Sequence, residues 1–261
     1  MARSSLRDPL LDMISSGSPD VLSYLHLVRS RRIVVFQPTL DQCLLVACNK
    51  GSRIHVTYLL QAGAYLETRD CHGNTPLLVA ATIGHVDIAA LLIEHGADVN
   101  ASNTRGRTAL MVASEHGFPI IVSMLLQKMA DVNHVDHAGN TSLILSMRRG
   151  CPIEVAETLL KQEGVNIEHI NEKGETALTK ALKEFELEKV KILLKGGPSL
   201  SDVQNIKESN NYNRCECAQD IADKAGIGQV VRLIQKHKND DSMLLEAVLN
   251  RDLKNMKENL V

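Results

Sequence analysis

One eight-residue phrase recurs along this chain at nearly constant spacing, and it limits the fold more than any other feature. Asp70-Cys-His-Gly-Asn-Thr-Pro-Leu77 returns as Asn103-Thr-Arg-Gly-Arg-Thr-Ala-Leu110, as Asp136-His-Ala-Gly-Asn-Thr-Ser-Leu143 and as Asn171-Glu-Lys-Gly-Glu-Thr-Ala-Leu178. The threonines Thr75, Thr108, Thr141 and Thr176 lie 33, 33 and 35 residues apart. The first three are followed at a fixed distance by Gly84, Gly117 and Gly150, and all four by a leucine-rich doublet or triplet ending at Leu92, Leu126, Leu160 and Leu194. Two copies close on Ala97-Asp-Val-Asn100 and Ala130-Asp-Val-Asn133. A period of this length marks a stacked array whose units cannot bury their apolar faces alone.

The residues of one period predict its local structure. Asp or Asn followed three residues later by Gly makes a tight turn, because Asx side chains bond back to the backbone and Gly accepts positive φ. The next Thr is a helix N-cap, and Pro76 stands at the first helical position, where its missing N–H costs little. Leu77, Ala80 and Ala81 share one helical face, and Gly84 ends that helix. Val86, Ile88, Leu91 and Leu92 form the apolar face of a second helix, which Gly96 ends. With no Trp, three Phe and four Tyr, the core must come from Leu, Ile, Val, Ala and Met, which suits closely stacked helices.

On these recurring positions the sequence resembles the ankyrin-repeat family, strongly over residues 42–205 and weakly elsewhere. The resemblance implies an all-α solenoid with short β-hairpin fingers, about five to seven stacked helix-turn-helix repeats in one domain. Residues 1–41 read as a degenerate capping repeat built on Asp8-Pro9-Leu10 and Gly17. One period before Thr75, Gln42 starts a repeat whose finger, Pro38 to Asp41, has lost its glycine. Residues 206–241 read as a repeat behind an elongated finger near Tyr212, since Cys217 follows Thr176 by 41 residues. Residues 242–261 read as a helical cap or a truncated repeat. Two departures stand out: Phe185 replaces an inter-helix glycine, and Met129 a glycine at a helix end. The fourth residue of the family's Thr-Pro-Leu-His is Leu78, Met111, Ile144 or Thr179. Stacking of this kind predicts an elongated, mostly helical monomer.

A formal charge of -2 gives no global attraction to nucleic acid or to an anionic membrane, and aromatics for base stacking are few. The six cysteines are dispersed, which suits free thiols in the cytoplasm or nucleus. The first twenty residues lack the continuous apolar stretch of a signal peptide. Cys215, Cys217 and His237 do not make the spacing of a structural zinc site. Cys71 and His72, adjacent on a fingertip, do not face each other as nucleophile and base. We therefore expect no enzyme activity, cofactor or metal.

In the ankyrin-repeat family the fingertips and the exposed side of each first helix line a concave groove. The resemblance places Arg105, Arg107, His116, His137, Arg148, Arg149, Lys173 and Lys183 there, with Ile83 as an apolar neighbour. Guanidinium groups at such positions suit a protein partner carrying carboxylates or phosphates. A non-catalytic interaction scaffold is thus the leading expectation, and a regulatory or ligand-sensing segment of a larger signalling protein or enzyme is the alternative. Asn100 and Asn133, each after Asp-Val and eight residues beyond Leu92 and Leu125, resemble the pattern accepted by the asparaginyl hydroxylase that modifies ankyrin repeats.

Overall fold

A computed structural model describes residues 9–18, 20–30 and 35–196. Twelve helices lie among them. In chain order they are α1 (Pro9–Ser16), α2 (Val21–Arg29), α3 (Gln37–Lys50), α4 (Arg53–Gln61), α5 (Pro76–Ile83), α6 (Val86–Glu94), α7 (Ala109–His116), α8 (Pro119–Gln127), α9 (Ser142–Ser146), α10 (Ile153–Leu160), α11 (Ala177–Lys183) and α12 (Leu187–Gly196). The chain divides into two compact units, 1–137 and 138–261. In the first, the odd-numbered helices stack in one row, α1 on α3 on α5 on α7, and α4, α6 and α8 form a second row that α2 begins. In the second unit α9 packs on α11 and α10 on α12.

The repeated threonine starts each first helix. The hydroxyls of Thr75, Thr108, Thr141 and Thr176 accept the N–H groups of Leu78, Met111, Ile144 and Thr179. Each such cap is worth about 1 kcal/mol. Thr179 returns the contact, its hydroxyl accepting the Thr176 N–H at 2.8 Å, so this helix opens with a reciprocal capping box. Leu77, Leu78, Ala80 and Ala81 are all buried because α5 is enclosed by α3, α6 and α7.

At the end of α5, Gly84 has φ of +91°, and a Cβ there would lie 2.5 Å from the Phe118 ring. Both dihedral and close approach require glycine. Where the glycine is missing, the backbone keeps the same shape: Met129 has φ 61° and Phe185 φ 58°.

Three expectations need correction. First, the fingers are not β-hairpins: among the described residues strand pairing is limited to one isolated bridge, Ser102 to Thr108. The fingers are turns closed by bonds such as Asp70 N–H to Asn74 C=O and Gly73 N–H to Asp70 C=O, too short to build a ladder. Secondly, Pro38 to Asp41 is not a finger. These residues form the opening turn of α3, because without Gly the segment has no turn former, and Pro38 suits a helix start.

Thirdly, Arg148 and Arg149 do not sit on the side of a first helix. With the repeats that start at Gln42, Thr75, Thr108, Thr141 and Thr176 numbered one to five, each finger taking its repeat's number, the buried Ile121, Val122 and Leu125 of repeat three follow Thr108 by 13, 14 and 17 residues; in repeat four the equivalent Val155, Ala156 and Leu159 follow Thr141 by 14, 15 and 18. One residue has been added, and α9 is five residues long where α7 has eight. Arg148 and Arg149 stand in the enlarged turn behind it. The elongated finger near Tyr212, Cys215, Cys217, His237 and the segments 206–241 and 242–261 lie outside the described residues.

Candidate partner-binding site

Each finger is built on its Asx residue. Asn103 Oδ1 accepts the amides of Arg105 and Arg107 at 2.9 and 3.1 Å, and Asn171 Oδ1 those of Lys173 and Glu175, both at 2.9 Å. Asp70 does the same for His72 and Asn74, both at 2.8 Å. Burial raises the Asp70 carboxyl, but the bonds from Asn74 and His72 outweigh it and hold it below the usual aspartate value.

The residue just before each capping threonine then reaches the Asx of the following finger. Asn103 Nδ2 donates to Asn74 Oδ1 at 2.9 Å, Arg107 Nε to Asp136 Oδ2 at 3.3 Å, and Asn171 Nδ2 to Asn140 Oδ1 at 2.8 Å. Amide meets amide, and cation meets carboxylate.

Arg107 is thereby committed. Its other guanidinium nitrogen pairs with Glu115, eight residues on. Repeat five carries the same pair with the charges exchanged, Lys183 Nζ lying 3.1 Å from Glu175 Oε1. Burial pulls the Glu175 carboxyl up, but the bonds from Lys183 and Asn171 prevail and hold it low. Repeat four has Asn140 and Arg148 at these two positions, so no such pair forms there.

The basic positions expected from sequence therefore divide. Arg107 and Lys183 are neutralised within their own repeats. Arg105, Arg148, Arg149 and Lys173 are exposed, and among the described residues their charged groups have no ion-pair partner. His116 is exposed at the end of α7, and His137, also exposed, packs its ring against Gly106, where a Cβ would meet it at 2.7 Å.

Sequence reading did not find the residues that hold the Arg148–Arg149 turn. Lys189 follows Thr176 by 13 residues, the register of the core residues Ile88 and Ile121, and it is only 1% exposed. A lysine so deeply buried needs a partner for its ammonium. Its Nζ donates to the Arg148 carbonyl at 2.8 Å and lies 3.7 Å from Glu186 Oε2. Glu186 Oε1 in turn accepts the Gly150 N–H at 3.2 Å. The added residue in repeat four and the misplaced lysine in repeat five are thus one arrangement, in which α12 and its preceding turn clasp the basic turn by two backbone groups. The signal in the sequence was a Lys at a position held elsewhere by Ile.

In the first unit a cavity of about 230 Å³ opens between the second and third fingers, lined by His72, Asn103, Arg105, Arg107 and His116 among others. Ile83, the expected apolar neighbour, is 39% exposed. Asn100 and Asn133 are both exposed; the Asn100 N–H donates to Asp98 Oδ1 at 2.9 Å, and the Asn100 Oδ1 accepts the Asp131 N–H at 2.8 Å.

Cys43 and Cys48 are buried thiols outside any disulfide, and burial pushes Cys48 up to about 12. Burial also raises Cys151, whereas Cys71 is exposed on its fingertip. Among the described residues no cluster of His, Cys, Asp and Glu has the makings of a metal site, and no helix is long and apolar enough to cross a membrane. The sequence profile described as ankyrin repeats (3 copies) matches residues 10–103, 44–136 and 110–206. No curated protein matches the chain.

Proposed function

The chain belongs to the ankyrin-repeat family, whose repeats are generally protein-interaction modules, and we propose from that premise that it is a non-catalytic scaffold, monomeric on its own, which binds an acidic or phosphorylated segment of a protein partner. It works in the cytoplasm or nucleus and needs no cofactor. The observation that carries this reading is the unspent charge of Arg148 and Arg149, presented on a turn clasped by Lys189 and Glu186. Guanidinium groups keep their charge at any physiological pH and bind carboxylate or phosphate through two parallel bonds. A turn held in place from behind loses less entropy on binding than a free one. Within the unit that carries this turn, Lys173 adds charge and Lys183 contributes through shape and packing; Arg105, Arg107, His116 and His137 are partner-binding residues of the first unit taken by itself. Asn100 and Asn133, exposed in their loops, are hydroxylation sites in this reading, checked by mass after incubation with the asparaginyl hydroxylase.

The test is partner capture from lysate by crosslinking, followed by affinity measurement with the captured partner. Arg148→Glu combined with Arg149→Glu should weaken binding at least about tenfold, as expected when charged contacts are lost from an interface. The melting temperature should hardly move. Raising the salt concentration should weaken the wild-type complex. Lys161→Glu, an exposed residue at the end of α10, should change affinity little. Normal binding by the double variant, or affinity indifferent to salt, would exclude the basic turn.

A further inference from the structure

The cavity between the second and third fingers has a property that goes beyond partner binding by fixed charges. Its imidazole His116 is held in one orientation by two contacts: Nδ1 lies 2.8 Å from the Val112 carbonyl, and the ring stacks on Phe118 with centroids 6.3 Å apart and planes 6° from parallel. A carbonyl oxygen only accepts hydrogen bonds, so Nδ1 must carry the proton whether the ring is neutral or charged. In the neutral ring Nε2 is then a bare lone pair; in the charged ring it becomes a donor.

The other charges around the cavity decide what this means for a ligand. Arg105 and Arg107 supply two positive charges; Glu115 and Asp136, both paired to Arg107, cancel them. Asp70, two residues from His72, adds a negative charge on the second finger, already bonded to the amides of His72 and Asn74. Phe118 and Val112 bring none, and neither does Thr82, whose hydroxyl donates to the Leu78 carbonyl at 2.8 Å. With neutral imidazoles the site holds no excess positive charge, and the nitrogen open on His116 repels an anion. With His116 charged, a donor replaces that lone pair in the cavity that Arg105 also lines. At about 230 Å³ the cavity has room for roughly seven waters, enough for one tetrahedral oxyanion or carboxylate.

We propose that this cavity is a proton-linked anion pocket: it takes one carboxylate or phosphate group of an acidic ligand, held by Arg105 and by Nε2–H of His116, and His116 gains a proton as the anion enters. The pocket lies in the first unit and stands or falls independently of the Arg148–Arg149 turn.

Sulfate is the probe, because its charge is constant over the range in which imidazoles titrate. Its binding to the full chain is followed by NMR at pH 7.5 and pH 5.5, through the backbone amides of residues 103–107 and the ring nitrogens of His116. Binding should be at least about tenfold tighter at the lower pH, since uptake of one proton per anion changes affinity by up to about tenfold per pH unit. Saturating sulfate should raise the titration midpoint of His116. His116→Gln, an exposed substitution compatible with the helix end, should remove the pH dependence, Arg105→Gln should weaken binding at both pH values, and His72→Gln should leave the dependence in place. Sulfate affinity equal at both pH values, a pH dependence that survives His116→Gln, or no perturbation of residues 103–107 would overturn the proposal. None of those results would bear on charge reversal at Arg148 and Arg149, which has its own readout.

Discussion

Replacing Met129 by Gly should stabilise the first unit. Met129 has φ 61°, a region that costs an L-residue about 1–2 kcal/mol relative to its ordinary conformations. Gly adopts it freely but loses more backbone entropy on folding, about 0.5–1 kcal/mol. The bonding around the site is that of the glycine repeat before it: Met129 N–H to Leu126 C=O at 3.0 Å and Ala130 N–H to Leu125 C=O at 3.1 Å, against Gly96 to Ile93 and Ala97 to Leu92, both at 3.0 Å. The side chain is 84% exposed, so removing it sacrifices little burial. The balance is a gain of about 0.5–1 kcal/mol. Phe185 is the internal comparison. Its φ of 58° carries the same strain, but the ring is 53% exposed and so about half buried. Losing that burial costs about 1 kcal/mol and offsets the relief, so Phe185→Gly should be nearly neutral. Urea unfolding, with hydrogen exchange at the Ala130 amide as a local probe, measures both. A destabilised Met129→Gly protein, or equal effects at the two sites, would refute the assignment of strain.

Three further outcomes follow from the fingers and caps. Arg107→Asn should destabilise the first unit by about 1–3 kcal/mol by removing the cation from the buried Asp136, and adding Asp136→Asn should recover part of the loss by recreating the amide pair seen at Asn74 and Asn103, as a double-mutant cycle of unfolding free energies would register. Asp70 has a depressed folded-state pKa, so its contribution to stability is complete above the ordinary aspartate value of 3.8 and is lost as pH falls through the lower folded value; Asp70→Asn, which keeps an acceptor for both amides, should unfold less steeply with acid below about pH 4. The Ser142 hydroxyl is buried without a hydrogen-bond partner, at a position where repeats three and five carry Ala109 and Ala177, and Ser142→Ala should therefore stabilise by about 1 kcal/mol in denaturant unfolding.

The four threonines, the Asx-x-x-Gly turns and the leucine faces disclosed the helix pairs because each acts within a few residues of itself. The binding positions were less legible for two reasons. The pairing of Arg107 with Asp136 joins residues 29 apart on different repeats, and no periodicity displays a side-chain contact of that kind. Opposite charges at the residue before the threonine and the seventh after it, as in Arg107 and Glu115 or Glu175 and Lys183, were the visible clue. The displacement of Arg148 and Arg149 followed from one added residue, detectable by counting from Thr141 to Leu159 but hidden when repeats are aligned on Gly150. Pro38 to Asp41 misled because the repeat length reserves a place for a finger, while the residues themselves favour continuing a helix.

The bond from each finger to the next also bears on how such a chain can change length over evolutionary time. Loss of repeat three alone would set Asn74 against Asp136, leaving a carboxylate where the amide expects an amide. Loss of repeats three and four together would set Asn74 against Asn171, the same chemistry as the existing contact of Asn74 with Asn103. Although every repeat shares one architecture, the units are not interchangeable beads: each carries an address for its successor, and recombination that trims this array should be tolerated in pairs more readily than singly.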